Sequence, residues 1–105
     1  MKTVSEQMEL ARKAQAIVND YTQEQIDEIC LAIGWEVYED ENIAKLAKMA
    51  VEETGYGNVQ SKIIKHKRKV GGVLHDIKGA KSVGLIERDE KTGISKYAKP
   101  VGVVC

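Results

Sequence analysis

The segment Ile43-Ala-Lys-Leu-Ala-Lys-Met-Ala-Val-Glu-Glu-Thr-Gly-Tyr-Gly57 indicates the fold more strongly than any other part of the chain. Its apolar residues recur at helical spacing, which predicts one face of an α-helix; they are Leu46, Ala47, Ala50 and Val51. Thr54-Gly55 predicts the end of this helix, because glycine readily adopts the left-handed conformation of a helix terminus. The rest of the sequence predicts three further helices and then a change to strand periodicity.

Two helices are predicted before this segment. Thr3 with Glu6, and Thr22 with Gln25, have the spacing of a capping box, in which each side chain binds the other residue's backbone N–H. Apolar residues follow at intervals of three or four: Val4, Met8, Ala11, Ala14, Val18 and Tyr21 in the first helix, and Ile26, Ile29, Cys30, Ile33 and Val37 in the second. Gly34 costs the second helix about 1 kcal/mol relative to alanine, so we expect a bend or a close helix contact there.

Acidic residues precede the third helix, where negative charge is favoured by the helix dipole, and Asn42 or Asp40 is the expected cap. A fourth helix is predicted to begin at Asn58. Its apolar face contains Val59, Ile63, Val70, Leu74 and Ile77, and the opposite face contains Lys62, Lys65, Arg68 and Lys69. Gly71-Gly72 weakens the middle of this helix, so we expect a break or kink there.

The periodicity changes after Gly79. Residues 82–89 and 94–98 predict two strands joined by a short loop that contains glycine. Val83, Leu85 and Ile94 are expected to face a partner surface, while Glu87, Arg88 and Lys96 stay in solvent.

Pro100 ends this hairpin, and Val101-Gly-Val-Val-Cys105 starts an apolar run typical of a strand inside a parallel sheet. Parallel neighbours need crossover connections, so we expect the chain to be a piece of a longer protein, or to rely on a partner surface. The predicted fold is α+β in a single segment, 1–105. Helices occupy 1–79, a β-hairpin occupies 80–99, and a further strand starts at 100–105.

These patterns together resemble the amino-terminal portion of a CoA-acylating aldehyde dehydrogenase, the family that includes the acetaldehyde and sulfoacetaldehyde enzymes. The resemblance covers nearly the whole chain and is most specific at Leu46 to Gly57, Lys62-Ile-Ile-Lys65, Thr92-Gly-Ile94 and Ala98 to Val104. Gly71-Gly72 and the basic residues around Lys67 depart from the more apolar, aromatic helix expected of the family.

The resemblance implies a reaction in which an aldehyde, CoA and NAD or NADP give an acyl-CoA and the reduced cofactor. It implies that residues 100–105 begin a Rossmann-like cofactor domain, and that the hairpin from Val83 to Tyr97 takes part in subunit association. It also implies a catalytic cysteine beyond residue 105. No catalytic residue of the family can be placed on a position of this chain, and its cofactor-binding residues stay unknown.

Charge and composition exclude several classes. The 16 basic and 16 acidic residues give a formal net charge of zero, which argues against a general binder of nucleic acid or anionic membrane. No apolar run approaches the roughly 20 residues of a membrane span, and the first residues lack the apolar centre of a secretory signal. Two cysteines far apart form neither a disulfide framework nor a metal motif. We therefore expect a cytoplasmic protein.

The candidate nucleophiles are Cys30 and Cys105. Cys30 shares an apolar stripe with Ile26 and Ile29, so we expect a buried, structural cysteine. Cys105 ends an apolar strand with no base near it in sequence, and it too is expected to be structural. His66 and His75 have no further ligand at metal spacing, so no metal site is predicted, and His66 is expected at the boundary of the apolar face.

Two further patterns invite a binding function. Gly55-Tyr-Gly57 resembles part of a dinucleotide-binding fingerprint, but it follows a helix and has Gln60 at the third glycine position, so a cap and turn explains it better. The basic segment 62–69 could bind phosphate, RNA or an acidic partner. Its charges lie opposite an apolar stripe and no aromatic residue interleaves with them, as on a solvated helix face.

We therefore predict the amino-terminal part of an NAD(P)-dependent, CoA-acylating aldehyde dehydrogenase, serving structure and subunit association and inactive as the 105-residue chain alone. No cofactor is predicted for the isolated chain. Its expected partners are the rest of the dehydrogenase and another copy, through the hairpin Val83 to Tyr97. The alternative is a stand-alone helical interaction module that is related to the family but not catalytic.

Overall fold

The computed structural model describes residues 2–104, and over this range four helices are followed by a two-stranded antiparallel sheet. The helices are α1 (Val4–Val18), α2 (Gln23–Tyr38), α3 (Asp40–Thr54) and α4 (Val59–Ile77), and the strands are β1 (Gly84–Asp89) and β2 (Ile94–Ala98). The predicted α+β class and the order of its helices and hairpin are confirmed. None of the helices in the described range is both long enough and apolar enough to cross a membrane.

The chain divides into two compact units, and the boundary falls inside α2. The first, here called the hairpin unit, combines the chain up to Asp27 with the chain from Lys81 onward. It holds α1, the first turn of α2 and both strands. The second, here called the helical unit, is Glu28–Ala80 and holds the rest of α2 with α3 and α4.

Both predicted capping boxes are present. The Thr3 hydroxyl accepts a hydrogen bond from Glu6 N at 3.2 Å, and the Glu6 carboxylate accepts one from Thr3 N at 2.7 Å. Gln25 N donates to the Thr22 hydroxyl at 3.3 Å, and Thr22 N donates to Gln25 Oε1 at 3.0 Å. Each box satisfies N–H groups that a helix start otherwise leaves unpaired.

The predicted cap of α3 is wrong. The N-cap is Glu39, and its side chain makes no capping hydrogen bond. Asn42 Nδ2 instead donates to the Glu36 carbonyl at 2.8 Å, and the Asp40 carboxylate pairs with Lys67 Nζ. A single residue separates α2 from α3, so α3 already includes Asp40 and Asn42 and neither can be its N-cap.

The predicted end of α3 and start of α4 are confirmed. Gly55 has a φ of 67°, and its N–H donates to the Val51 carbonyl at 2.9 Å. Asn58 then caps α4, because its side-chain oxygen accepts a hydrogen bond from Ser61 N at 2.9 Å. Thr54, Gly55 and Asn58 thus end one helix and begin the next within five residues, as the local sequence requires.

The predicted break at Gly71-Gly72 is wrong, since α4 is continuous from Val59 to Ile77. Gly71 instead makes room for a neighbouring ring, because a Cβ atom there would lie 3.2 Å from the Tyr38 side chain. Gly34 on α2 makes room in the same way for Leu74 on α4, because a Cβ atom at Gly34 would lie 2.5 Å from the Leu74 side chain. The close helix contact predicted at Gly34 is confirmed, and it lies between α2 and α4.

The interior of the helical unit is small. Ile43 and Ala47, one turn apart on α3, are fully buried, and Gly34 is buried on α2. The prediction that Cys30 belongs to a buried stripe is wrong, because Cys30 is exposed and Ile33 is 64% exposed. Gly34 and Tyr38, four and eight residues after Cys30, approach α4. Ile26, Ile29 and Val37 of the predicted stripe are half-buried, so the stripe is covered only in part.

The segment after the hairpin differs from the expectation. Residues 99–104 carry no regular secondary structure, and Val101 and Val104 are 91% and 77% exposed. Strands are held by hydrogen bonds to a neighbour, and over the described residues the sheet contains only β1 and β2. The strand predicted at 100–105 is thus not formed as far as Val104, and Cys105 lies outside the described residues.

Candidate functional site on the hairpin

The hairpin carries the candidate site, and one irregularity sets its register. Leu85 lies opposite Tyr97, whereas Glu87 lies opposite Lys96, so Ile86 is an additional residue in β1. An extra residue of this kind bends a strand and increases its local twist. The ribbon is therefore regular along β2 and interrupted along β1.

Apolar side chains are exposed on both faces of the ribbon. Leu85 and Tyr97 form a cross-strand pair on one face and are 44% and 62% exposed. Ile94, which is 59% exposed, lies three residues before Tyr97 in the unbroken strand β2, and alternation places it on the other face. Leu85 and Ile94 were both predicted to meet a partner surface, and the structure shows that they belong to two different surfaces.

The predicted polar positions of the ribbon lie in solvent. Lys96 Nζ donates to Glu87 Oε2 at 2.7 Å across the two strands, with both side chains more than half exposed. Exposed pairs of this kind contribute little to stability. The Glu87–Lys96 pair therefore adds little to the stability of the hairpin.

The loop at the tip is held by one carboxylate. Asp89 accepts hydrogen bonds from Lys91 N at 2.9 Å and from the Thr92 hydroxyl at 2.8 Å. Gly93, with a φ of 71°, donates its N–H to the Asp89 carbonyl at 2.9 Å. The Thr92 hydroxyl, with the backbone N–H groups of Lys91 and Thr92, lowers the pKa of Asp89 because these donors favour the ionised carboxylate.

The base of the hairpin is tied to the first turn of α2 by Gln23. Gln23 Oε1 accepts hydrogen bonds from Ser82 N at 2.8 Å and from Val83 N at 3.1 Å. Its Nε2 donates to the Ser82 hydroxyl at 2.9 Å and to Asp27 Oδ1 at 2.7 Å. Gln23 was not predicted from the sequence, because a single glutamine in the first turn of a helix gives no sign that it binds a residue 59 positions later.

The basic segment of α4 belongs to the helical unit. Lys67 pairs with Asp40, and the hydrogen bond and negative charge of that carboxylate raise the pKa of Lys67. Lys65, Arg68 and Lys69 are exposed along a shallow groove that Ser61 and Ile64 also line. The predicted exposure of these three cations is confirmed, while Lys62, predicted on the same face, is half-buried.

The remaining candidates do not come together. Cys30 is exposed on α2, and His75 is exposed near the end of α4. His66 is half-buried, as predicted, and its Nδ1 atom is buried without a hydrogen-bond partner among the described residues. Within residues 2–104, no group of three or more His, Cys, Asp or Glu side chains is arranged to hold a metal ion. Gly55-Tyr-Gly57 is a helix end and turn.

The chain is similar to known enzymes along its whole length. It is 98% identical over 105 residues to the sulfoacetaldehyde dehydrogenase (acylating) of Bilophila wadsworthia, which is all of this chain and 23% of that protein. It is 65% identical over 94 residues to a sulfoacetaldehyde dehydrogenase of an Acholeplasma species, covering 90% of this chain and 19% of that protein. The chain thus spans about a fifth of the length of these relatives.

A solved structure agrees with the sequence comparison. The acetylating aldehyde dehydrogenase of Geobacillus thermoglucosidasius matches 84% of this chain and 19% of its own, with a TM-score of 0.75 and 41% identity. No family model matches the chain. The chain is therefore near-identical to the amino-terminal part of a sulfoacetaldehyde dehydrogenase (acylating), and the resemblance noted from the sequence is confirmed.

Proposed function

We propose that this chain is the amino-terminal scaffold of a CoA-acylating aldehyde dehydrogenase that acts on sulfoacetaldehyde. The enzyme takes the aldehyde, CoA and NAD+ or NADP+ to the acyl-CoA, with the reduced cofactor and a proton as the other products. The observation that carries this proposal is the 98% identity over the whole chain to a protein named for that substrate and for acylation. We also propose a cytoplasmic location, since the sequence shows no secretory pattern or disulfide framework.

If this chain is a scaffold, the residues that react covalently with the aldehyde belong to another part of the enzyme. In an acylating dehydrogenase a thiolate adds to the aldehyde, hydride leaves to the nicotinamide, and the acyl group passes from the enzyme thioester to the thiol of CoA. The resemblance implies a catalytic cysteine beyond residue 105, so we assign the exposed Cys30 no part in these steps. The segment from Pro100 is proposed as the start of the cofactor domain.

We propose that the hairpin Val83 to Tyr97 joins one subunit to another. Supporting this, Leu85 and Tyr97 expose an apolar pair on one face, and Ile94 exposes a second apolar position on the other. Apolar patches that stay in water are typical of surfaces that meet another protein. The Val83 to Tyr97 hairpin thus combines one strand of regular spacing, β2, with exposed apolar side chains suited to burial.

The reaction is tested by comparing the full-length enzyme with the isolated 105-residue chain. NADH formation, followed by absorbance, is measured with sulfoacetaldehyde in the presence and absence of CoA, with acetaldehyde as a comparison substrate. We expect CoA-dependent activity on sulfoacetaldehyde from the full-length enzyme and none from the chain. Activity of the isolated chain, or a full-length enzyme that ignores sulfoacetaldehyde, would contradict the proposal.

Subunit association is tested with one charge placed at two sites. Leu85→Asp puts a carboxylate into the apolar pair with Tyr97, while Val4→Asp puts the same group at another exposed apolar position, on α1. Light scattering after gel filtration of the full-length enzyme should show dissociation for Leu85→Asp and the native mass for Val4→Asp. An unchanged mass in both variants would remove the hairpin from the interface.

The alternative function is an interaction module without catalysis. Leu31, Ile33 and Trp35 favour it, because they are 63%, 64% and 59% exposed on α2 and can meet a partner without any enzyme domain. The two functions differ in the size of the protein in its own cells. If the dehydrogenase proposal is correct, an antibody against the chain should detect a protein several times larger than 11.6 kDa. If the protein is an interaction module, the antibody should detect a protein of 11.6 kDa.

A further inference from the structure

We propose that Gln23 is the positioning residue of the hairpin, holding the base of β1 in the direction that subunit association requires. This inference rests on the proposed role of the hairpin as an interface. It begins from the four hydrogen bonds of one side-chain amide, three of which go to Ser82 and Val83, 59 and 60 residues away in sequence. The fourth goes to Asp27, one turn further along α2.

The partners leave a single orientation for this amide. The backbone N–H groups of Ser82 and Val83 are donors only, so the atom that faces them is the carbonyl oxygen. The Asp27 carboxylate, when ionised, is an acceptor only, so the atom that faces it is the amide nitrogen. A glutamate at position 23 has no donor for Asp27, and a lysine has no acceptor for the backbone, so glutamine matches both.

The bonds act where the hairpin begins. Residues 80–83 form no regular hydrogen-bonded element, and β1 starts at Gly84, which has a φ of 73°. Gly84 is paired with Ala98 in the ladder, so the bonds of Gln23 act on the two residues just before the ladder begins. Among the described residues, the other side-chain hydrogen bonds join residues no more than nine apart, except the bond of Lys67 with Asp40, which lies in the helical unit. Gln23 therefore supplies the polar restraint on the base of β1 within the hairpin unit.

The experiment uses the full-length enzyme with three variants at this site. Gln23→Met keeps the length of the side chain and removes all four hydrogen bonds. Gln23→Glu keeps the acceptor for the two N–H groups but places a second carboxylate beside Asp27. Gln23→Glu with Asp27→Asn exchanges donor and acceptor between the two positions and restores the pairing. Gln25→Ala is the matched control, because its amide bonds only to Thr22 in the capping box.

Hydrogen–deuterium exchange of the peptide that contains Ser82 and Val83 is the local readout. Exchange should rise about 5- to 30-fold in Gln23→Met, which is the range that one or two ordinary hydrogen bonds supply. It should rise in Gln23→Glu and return toward the original rate in the double variant. The Gln25→Ala control should leave this peptide unchanged. Unchanged exchange in Gln23→Met, or no recovery in the double variant, would overturn the proposed role of Gln23.

The mass of the assembly separates this inference from the proposed function. If Leu85→Asp dissociates the enzyme and Gln23→Met does so as well, with recovery in the double variant, both stand. If Leu85→Asp dissociates the enzyme while Gln23→Met stays assembled at all concentrations, the positioning role fails and the interface stands. If neither variant changes the mass, the interface proposal fails, and the positioning role fails with it. A local effect on exchange would then show a structural bond only.

Discussion

Replacing three glycines by alanine, one at a time, tests how closely α2 and α4 pack. At Gly72 nothing lies within 4 Å of an added Cβ atom, at Gly71 the Tyr38 ring lies at 3.2 Å, and at Gly34 Leu74 lies at 2.5 Å. All three positions are inside helices, where alanine is favoured over glycine by about 1 kcal/mol. The gain from helix propensity is therefore the same in each variant, and only the steric term differs.

The steric term decides the order of stability. Gly72→Ala should raise the free energy of unfolding by about 1 kcal/mol, because the propensity gain is unopposed. Gly34→Ala meets three atoms of Leu74, at 2.5, 2.9 and 3.1 Å, and forcing extra volume into a packed site costs about 1–3 kcal/mol. Its net effect is a loss of about 0–2 kcal/mol. Gly71→Ala should fall between the two.

Urea unfolding followed by circular dichroism measures these differences. The midpoints of Gly72→Ala and Gly34→Ala should differ by about 1 M urea, given the slopes usual for small proteins. In a Leu74→Ala background the clash is removed, so Gly34→Ala should become stabilising by about 1 kcal/mol. If Gly34→Ala stabilises the original protein as much as Gly72→Ala does, the close contact of α2 with α4 is refuted.

Three further predictions concern polar groups. Thr92→Val should raise the pKa of Asp89 toward its ordinary value in a ¹³C NMR titration. In the original protein the folded-state pKa of Asp89 is lowered, so the ionised carboxylate stabilises the loop above the ordinary pKa, and this stability is lost as the pH falls through the lowered pKa. Asp40→Asn should return the raised pKa of Lys67 to its usual value. In the original protein the Lys67–Asp40 pair adds stability at pH values below the usual lysine pKa, and this stability is lost as the pH rises through the raised pKa. Asn58→Ala should cost about 1 kcal/mol in urea unfolding while Asn58→Asp costs less, and equal losses would exclude side-chain capping.

Features fixed by neighbouring residues could be predicted from the sequence. The capping box of Thr3 and Glu6 and the glycine end of α3 depend on residues within one helical turn, so their chemistry is visible in the string of letters. The alternation of the two strands around a glycine-containing loop is equally local. These signals gave the four helices, the hairpin and most of their boundaries.

Features that depend on distant residues could not be predicted. Aspartate is common at helix caps, but the Asp40 carboxylate pairs with Lys67 of α4. The stripe with Cys30 has the periodicity of a core face, but periodicity does not show how much of it other elements cover. Ile26 and Ile29 are half-buried, while Cys30 and Ile33 are exposed. Gly71-Gly72 disfavours a helix locally, and tertiary packing overrides that preference.

The same limit applies to the candidate site. The position of the hairpin and its exposed residues follow from the alternation of apolar and polar residues. That Leu85 and Ile94 lie on opposite faces follows from the pairing of Leu85 with Tyr97, which alternation alone does not reveal. Gln23 is recognised only from the partners that it reaches across 59 residues.

The additional residue at Ile86 has a consequence for how the sheet can grow. An incoming strand needs N–H and C=O groups at regular intervals, and a bulge breaks that spacing on the strand that contains it. Irregular edges of this kind discourage a third strand. The five residues of β2 keep the regular spacing, so any strand added to this ribbon is expected to dock beside Ile94–Ala98.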